Sequence, residues 1–174
     1  MKKLLSSILI SWLFFSILSA QSLLSPGLVF HHLTKKNGLS SNKIVEVLQD
    51  YEGFFWIGTQ DGLNRFDGTN IQTFRKDSKD SNSLSNNHCT DILLSRDGNI
   101  WVATLNGLNC FDQQTGKFTR YYFNDSSSNP AAINWINSID EDRIGNIWAV
   151  SAGLWKIEPK YRKVSHIGAQ KVES

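Results

Sequence analysis

Three segments of this chain repeat one another, and that repetition limits the fold more than any other feature. Trp56, Trp101 and Trp148 are spaced by 45 and 47 residues. Around them, LSSNKIVEVLQDYEGFFWIGTQDGLNRFDG runs from Leu39 to Gly68, LSNNHCTDILLSRDGNIWVATLNGLNCFDQ from Leu84 to Gln113, and AAINWINSIDEDRIGNIWAVSAGLWKIE from Ala131 to Glu158. Shifted by 45, the first two agree at 12 of 29 positions between Leu39 and Asp67. The third is one residue shorter before its Gly-Leu and keeps Gly145, Ile147, Trp148, Gly153 and Leu154.

Each unit reads as four short strands. In the first, Lys43–Gln49, Phe55–Thr59, Leu63–Phe66 and Ile71–Phe74 are apolar or β-branched runs, separated by turns at Gly53, Gly62 and Gly68. Four strands every 40 to 50 residues, with Trp and Gly at fixed places, describe the blade of a β-propeller. Strand one (Ile44, Val45, Val47, Leu48) does not alternate cleanly. It is expected to be covered on both faces by neighbouring blades. The repeat positions Trp56, Trp101, Trp148, Gly53, Gly98, Gly145, Gly62, Gly107 and Gly153 are read as structural: rings filling the gaps between blades, glycines closing turns.

The predicted fold is therefore all-β: three four-stranded antiparallel blades forming an open arc or fragment of a larger propeller. Blade one covers 35–78, blade two 79–124 and blade three 125–168, with a tail at 169–174. Residues 21–34 hold an orphan strand, Leu28–Leu33, which would close the last blade of a complete ring. Before it, Met1-Lys2-Lys3, the apolar run Leu4–Leu18 and the small residues Ser19-Ala20 have the layout of a secretory signal peptide over 1–20. That run is 15 residues, short of the roughly 20 a membrane-spanning helix needs. The chain is thus expected to be exported, periplasmic or extracytoplasmic, with no membrane span beyond the signal peptide. Lys2 and Lys3 account for the whole excess of 18 basic over 16 acidic residues, so the rest is neutral. A nucleic-acid binder acting through overall basicity is excluded.

The runs DYEGFFWIGTQDGLNRFDG and SRDGNIWVATLNGLNCFD resemble the two-component regulator propeller repeat. The resemblance covers about 30–167. It implies the N-terminal periplasmic sensor region of hybrid two-component sensor histidine kinases of the Bacteroidetes type, probing for glycans. The kinase elements of that family are not found in the sequence, so the chain is expected to be the front end of such a sensor, cut at a blade boundary. The implied function is non-catalytic ligand sensing. The alternatives are a secreted propeller module for binding or assembly, and a small propeller lyase.

No catalytic set, cofactor motif or metal motif is expected. His31-His32 would diverge on a strand, His88 precedes strand one, and His166 lies in a fourth strand. Asp140-Glu141-Asp142 aligns with Leu48-Gln49-Asp50 and Leu93-Leu94-Ser95 and is read as a solvated strand end. Ser95–Trp101 resembles the Asp-box turn of sialidase-like propellers, itself a structural turn. Cys89 and Cys110 fall on strands one and three, which are not neighbours in a meander, and are expected to be free thiols, Cys110 beside polar positions. The expected partners are an oligosaccharide ligand, and further blades or a second copy of the chain covering two open faces. Those faces are expected to carry Val45, Val47 and Ile57 in blade one, and Ile136, Ile139 and Ile147 in blade three.

Overall fold

The computed structural model describes residues 32–124 and 130–167. The chain divides into two compact units, 1–32 and 33–174, and every strand and helix among the described residues belongs to the second. The segments read as a signal peptide and a tail, and most of the expected orphan strand, lie outside the described residues; His32 and Leu33 are not in a strand.

Among the described residues, twelve strands form three separate sheets. The first holds β1 (Ile44–Gln49), β2 (Phe55–Thr59), β3 (Gly62–Phe66) and β4 (Ile71–Phe74). The second holds β5 (Cys89–Leu94), β6 (Ile100–Thr104), β7 (Gly107–Asp112) and β8 (Lys117–Tyr121). The third holds β9 (Ser138–Glu141), β10 (Ile147–Val150), β11 (Leu154–Glu158) and β12 (Lys163–Ile167), preceded by a short helix, α1 (Pro130–Asn134). Each sheet is a four-stranded antiparallel meander in chain order, the arrangement of a propeller blade.

The first strands of successive blades lie side by side, β1 beside β5 and β5 beside β9. Both β1 and β5 carry a register shift near their start, between Ile44 and Glu46 and between Cys89 and Asp91. In β5 the extra residue, Thr90, turns its hydroxyl to the carbonyl of Ile136 in the next blade. Asp91 Oδ2 then accepts from Ser138 Oγ at 2.9 Å and from the Ile139 amide at 2.8 Å. The bulge thus frees two side chains to stitch blade two to blade three.

Two hydrophobic cores lie between the blades. Trp56 and Leu63 of blade one meet Cys89, Ile92, Ile100, Val102, Phe111 and Phe118 of blade two. On the other side of blade two, Trp101, Ala103, Leu108 and Cys110 meet Ile139, Ile147, Ala149, Trp155 and Ile157 of blade three. The period-2 alternation of β6 and β7 feeds both cores, and every residue of β6 is buried.

The flanking blades differ from this, and two expectations need correction. Strand one of the first blade is not covered on both faces: Val47 is 47% exposed, with Ile44 and Val45 also exposed. Val45 and Val47, expected on the open face of blade one, are exposed there, but the open face of blade three does not carry the residues expected. Ile57 pairs with Val47 and Asn64 and so shares the face of Val47, but is buried at the centre of the sheet. Ile139 and Ile147 point into blade two, and Ile136 is buried with them. The outward face of blade three instead carries Trp148, Val150, Leu154 and Ile167, on the opposite side of the pleat; Val150 is 45% exposed.

The cysteines are free and buried. Cys89 belongs to the core facing blade one and Cys110 to the core facing blade three, so their side chains leave opposite faces of one sheet. Cys110 is therefore more enclosed than its polar sequence neighbours suggest. Burial pushes the Cys89 thiol up to about 11. Burial, then the charges of Asp97 and Asp112, push Cys110 up to about 12. Both are therefore thiols rather than thiolates at neutral pH.

Candidate functional site

An antiparallel meander has two ends, and they are built differently here. One end carries the turns between strands one and two of each blade. In blade one, Asp50 Oδ1 accepts from the Glu52 and Phe54 amides, both at 3.0 Å. Its Oδ2 accepts from Trp56 Nε1 at 2.7 Å. Asp142 repeats this in blade three: Oδ1 accepts from the Ile144 and Asn146 amides, and Oδ2 from Trp148 Nε1 at 3.0 Å. The Asn146 side-chain amide, and then Trp148, hold the Asp142 carboxyl well below the usual carboxylate range. So the turn aspartate fixes both the turn and the ring. Gly53, Gly98 and Gly145 occupy one place in these turns at φ of 91°, 86° and 86°, the left-handed region where a side chain is strained.

In blade two the turn is different. Ser95 replaces the aspartate, and its hydroxyl hydrogen-bonds Asp97 Oδ1 and the Asn99 carbonyl. Trp101 Nε1 has no partner and is buried.

The other end carries the turns between strands two and three and the connectors between blades. Here the first two blades share a buried polar latch. In blade two, the Ser85 amide donates to Asn109 Oδ1 at 2.8 Å, and Asn109 Nδ2 donates to Ser85 Oγ at 3.0 Å and to the Val102 carbonyl at 3.1 Å. Ser85 Oγ also meets Thr104 Oγ1, which donates to the Gly107 carbonyl. Ser40, Thr59, Gly62 and Asn64 make the same set in blade one. The strand pattern does not single these residues out as a group, although all four are identical in the two repeats. Gly62 lies in this turn at φ 126°, and a Cβ there would stand 2.7 Å from the Phe74 carbonyl oxygen. Gly107 takes the equivalent place in blade two.

Blade three lacks the latch. Trp155 stands where Asn64 and Asn109 stand, and its ring stacks between Phe123 and His166. Gly153 does not have a positive φ; its turn is one residue shorter, and a Cβ would meet His166 Nε2 at 2.5 Å. Asn134 at the end of α1 instead holds the connector, bonding the amide and carbonyl of Phe123. Two aromatic rings on that connector face outward: Trp135, 54% exposed, and Tyr122, also exposed.

The remaining candidates are scattered. The repeat tryptophans are not brought together: Trp56 and Trp101 fill successive inter-blade cores, and Trp148 is half-buried on the outward face. Glu141 accepts from the Arg96 amide at 3.0 Å, so the acidic cluster is tied to the neighbouring blade as well as to its own turn. His31 lies outside the described residues. Among the described residues no group of three or more His, Cys, Asp or Glu side chains is placed to hold a metal ion.

The family described as two component regulator propeller matches residues 38–61 and 83–106. These two segments are similar to the repeat of that family. Each spans the latch serine, strand one, the Trp strand and the turn that follows. Over 82% of its length the chain is similar to the extracellular domain of BT3049, a hybrid two component system of B. thetaiotaomicron, at 27% identity and a TM-score of 0.70. It is 38% identical over 76 residues to histidine kinase P4 of Formosa agariphila. The chain covers 20% of the first and 5% of the second. The virginiamycin B lyase of Staphylococcus aureus shares the fold, with a TM-score of 0.56 at 15% identity, over 74% of this chain and 42% of the lyase.

Proposed function

We propose that this regulator-propeller chain is part of the extracytoplasmic sensing region of a two-component signalling protein, that it is non-catalytic, and that it takes an oligosaccharide at the connector end of its blades. The likeness to the extracellular domain of the B. thetaiotaomicron system carries this reading. Among the described residues no helix is long and apolar enough to cross a membrane, and the Met1–Ala20 pattern supplies the export signal. The saccharide reading is supported by Trp135 and Tyr122, since an exposed ring stacks on the apolar face of a pyranose while its polar atom stays wet. The open faces, carrying Val47 and Phe55 on one side and Val150 and Leu154 on the other, are completed by further blades or by a second copy of the chain.

Calorimetric titration with a panel of neutral and acidic oligosaccharides tests the reading. At least one is expected to bind, and Trp135→Ala to weaken it tenfold or more, about 1.4 kcal/mol. Trp135 is exposed, so the variant keeps the fold. Binding that is indifferent to Trp135→Ala and Tyr122→Ala, or absent across the panel, contradicts the proposed site.

A further inference from the structure

Blade two departs from its sisters at one atom. Where Trp56 Nε1 and Trp148 Nε1 each donate to a turn aspartate, Trp101 Nε1 meets no acceptor. Four buried side-chain polar atoms among the described residues have no partner, on Arg65, Trp101, Ser151 and Trp155. Of these residues only Trp101 lines the large cleft between blades two and three, about 980 Å³, at the end where the strand-one-to-two turns lie.

The charges in that cleft are unevenly committed. Its acidic groups are all engaged within the protein. Asp97 accepts from Ser95 and Asn99, Asp112 from the Gln114 and Thr115 amides, and Glu141 from the Arg96 amide. Glu158 lies 3.9 Å from Lys156 and 3.8 Å from Lys163. Arg143, Lys160 and Arg162 also line the cleft, are exposed, and have no ion-pair partner among the described residues. The cleft therefore holds a buried neutral donor without an acceptor and three exposed cations without an ion-pair partner among the described residues.

We propose that this cleft binds a small organic anion through a carboxylate. One carboxylate oxygen accepts from Trp101 Nε1, replacing the aspartate oxygen that Asp50 and Asp142 supply in the sister blades. Arg143, Lys160 and Arg162 balance the charge. A carboxylate fits because it is the group that the same ring atom already meets in the other two blades, and because an acceptor reaching a dry donor gains more there than in water. The site lies at the end of the blades opposite Trp135, so it stands or falls independently of the proposed saccharide site.

Titration of the full, ¹⁵N-labelled chain with citrate, following the indole N–H signals, tests this. Trp101→Phe keeps most of the ring, removes the donor and identifies the signal. The Trp101 signal is expected to move downfield saturably with citrate while the other indoles stay. Glucose, and sodium chloride at matched ionic strength, are expected to leave it in place. The exposed pair Lys160→Ala and Arg162→Ala, which does not touch the core, should weaken citrate binding tenfold or more. No saturable movement of the Trp101 signal, equal movement with chloride or glucose, or an unchanged response in the Lys160/Arg162 variant overturns the proposal.

Discussion

Trp101→Ala should destabilise the chain by about 3–5 kcal/mol, the range for truncating a fully buried aromatic. The ring is 1% exposed, lies 5.3 Å from the ring of Tyr121, and sits in the core shared by blades two and three. Its N–H makes no bond, so the loss is one of packing and burial alone. Trp148→Ala removes the equivalent ring from the outward face, where it is half-buried, together with one bond to Asp142. That change should cost roughly 1–2 kcal/mol, a hydrogen bond plus partial burial. Since a single domain has only about 5–15 kcal/mol to lose, the first variant should drop the melting temperature by about 10 °C and the second by far less. Parallel melts of the two variants read the difference directly. A larger loss from Trp148→Ala would mean that the middle blade is not the one enclosed on both sides.

Asn109→Ala should cost about 3 kcal/mol, although no hydrophobic contact is lost. Asn109 and Ser85 are both fully buried, and the amide makes three bonds to groups that water does not reach. Removing it leaves the Ser85 amide and the Val102 carbonyl without their side-chain partner, and each unsatisfied buried group costs roughly 1–3 kcal/mol. Asn109→Asp should not rescue stability, because a carboxylate cannot donate to Val102 and would be a buried charge. Urea unfolding of both variants checks this. A loss below about 1 kcal/mol for Asn109→Ala would show that the latch is replaceable by solvent.

The blade plan was legible because the repeat supplies three noisy copies of one pattern. Strand bounds inferred from Trp56 and its echoes fall within a residue of those observed in the first blade. The latch was visible in the same alignment, as Leu-Ser before strand one and Gly-Leu-Asn after the second turn, but period-2 reasoning assigns polar residues to the wet face. It gives no sign that Asn64 and Asn109 are buried and paired with a serine 24 residues earlier. The outward face of blade three was misread for a related reason. Ile147 and Trp148 are both apolar and adjacent, so the pattern does not say which one looks into blade two. The substitution of Ser95 for Asp50 could be aligned, yet its consequence, a stranded indole donor, depends on where the serine hydroxyl turns. The helix Pro130–Asn134 is five residues long, too short for a periodic signal, and it replaces the latch in the one blade that lacks it.

Blade two is a sheet covered on both faces, while blades one and three each keep one face open. Amide hydrogen exchange on the full chain, read by mass spectrometry, tests this most directly, because local opening follows burial and contact density. Peptides from β6 and β7, buried almost throughout, should exchange slowest of the described strands. Those from β1 and β12, with no fully buried residue, should exchange fastest. A β1 as well protected as β6, or one uniform rate across the three blades, would contradict the account.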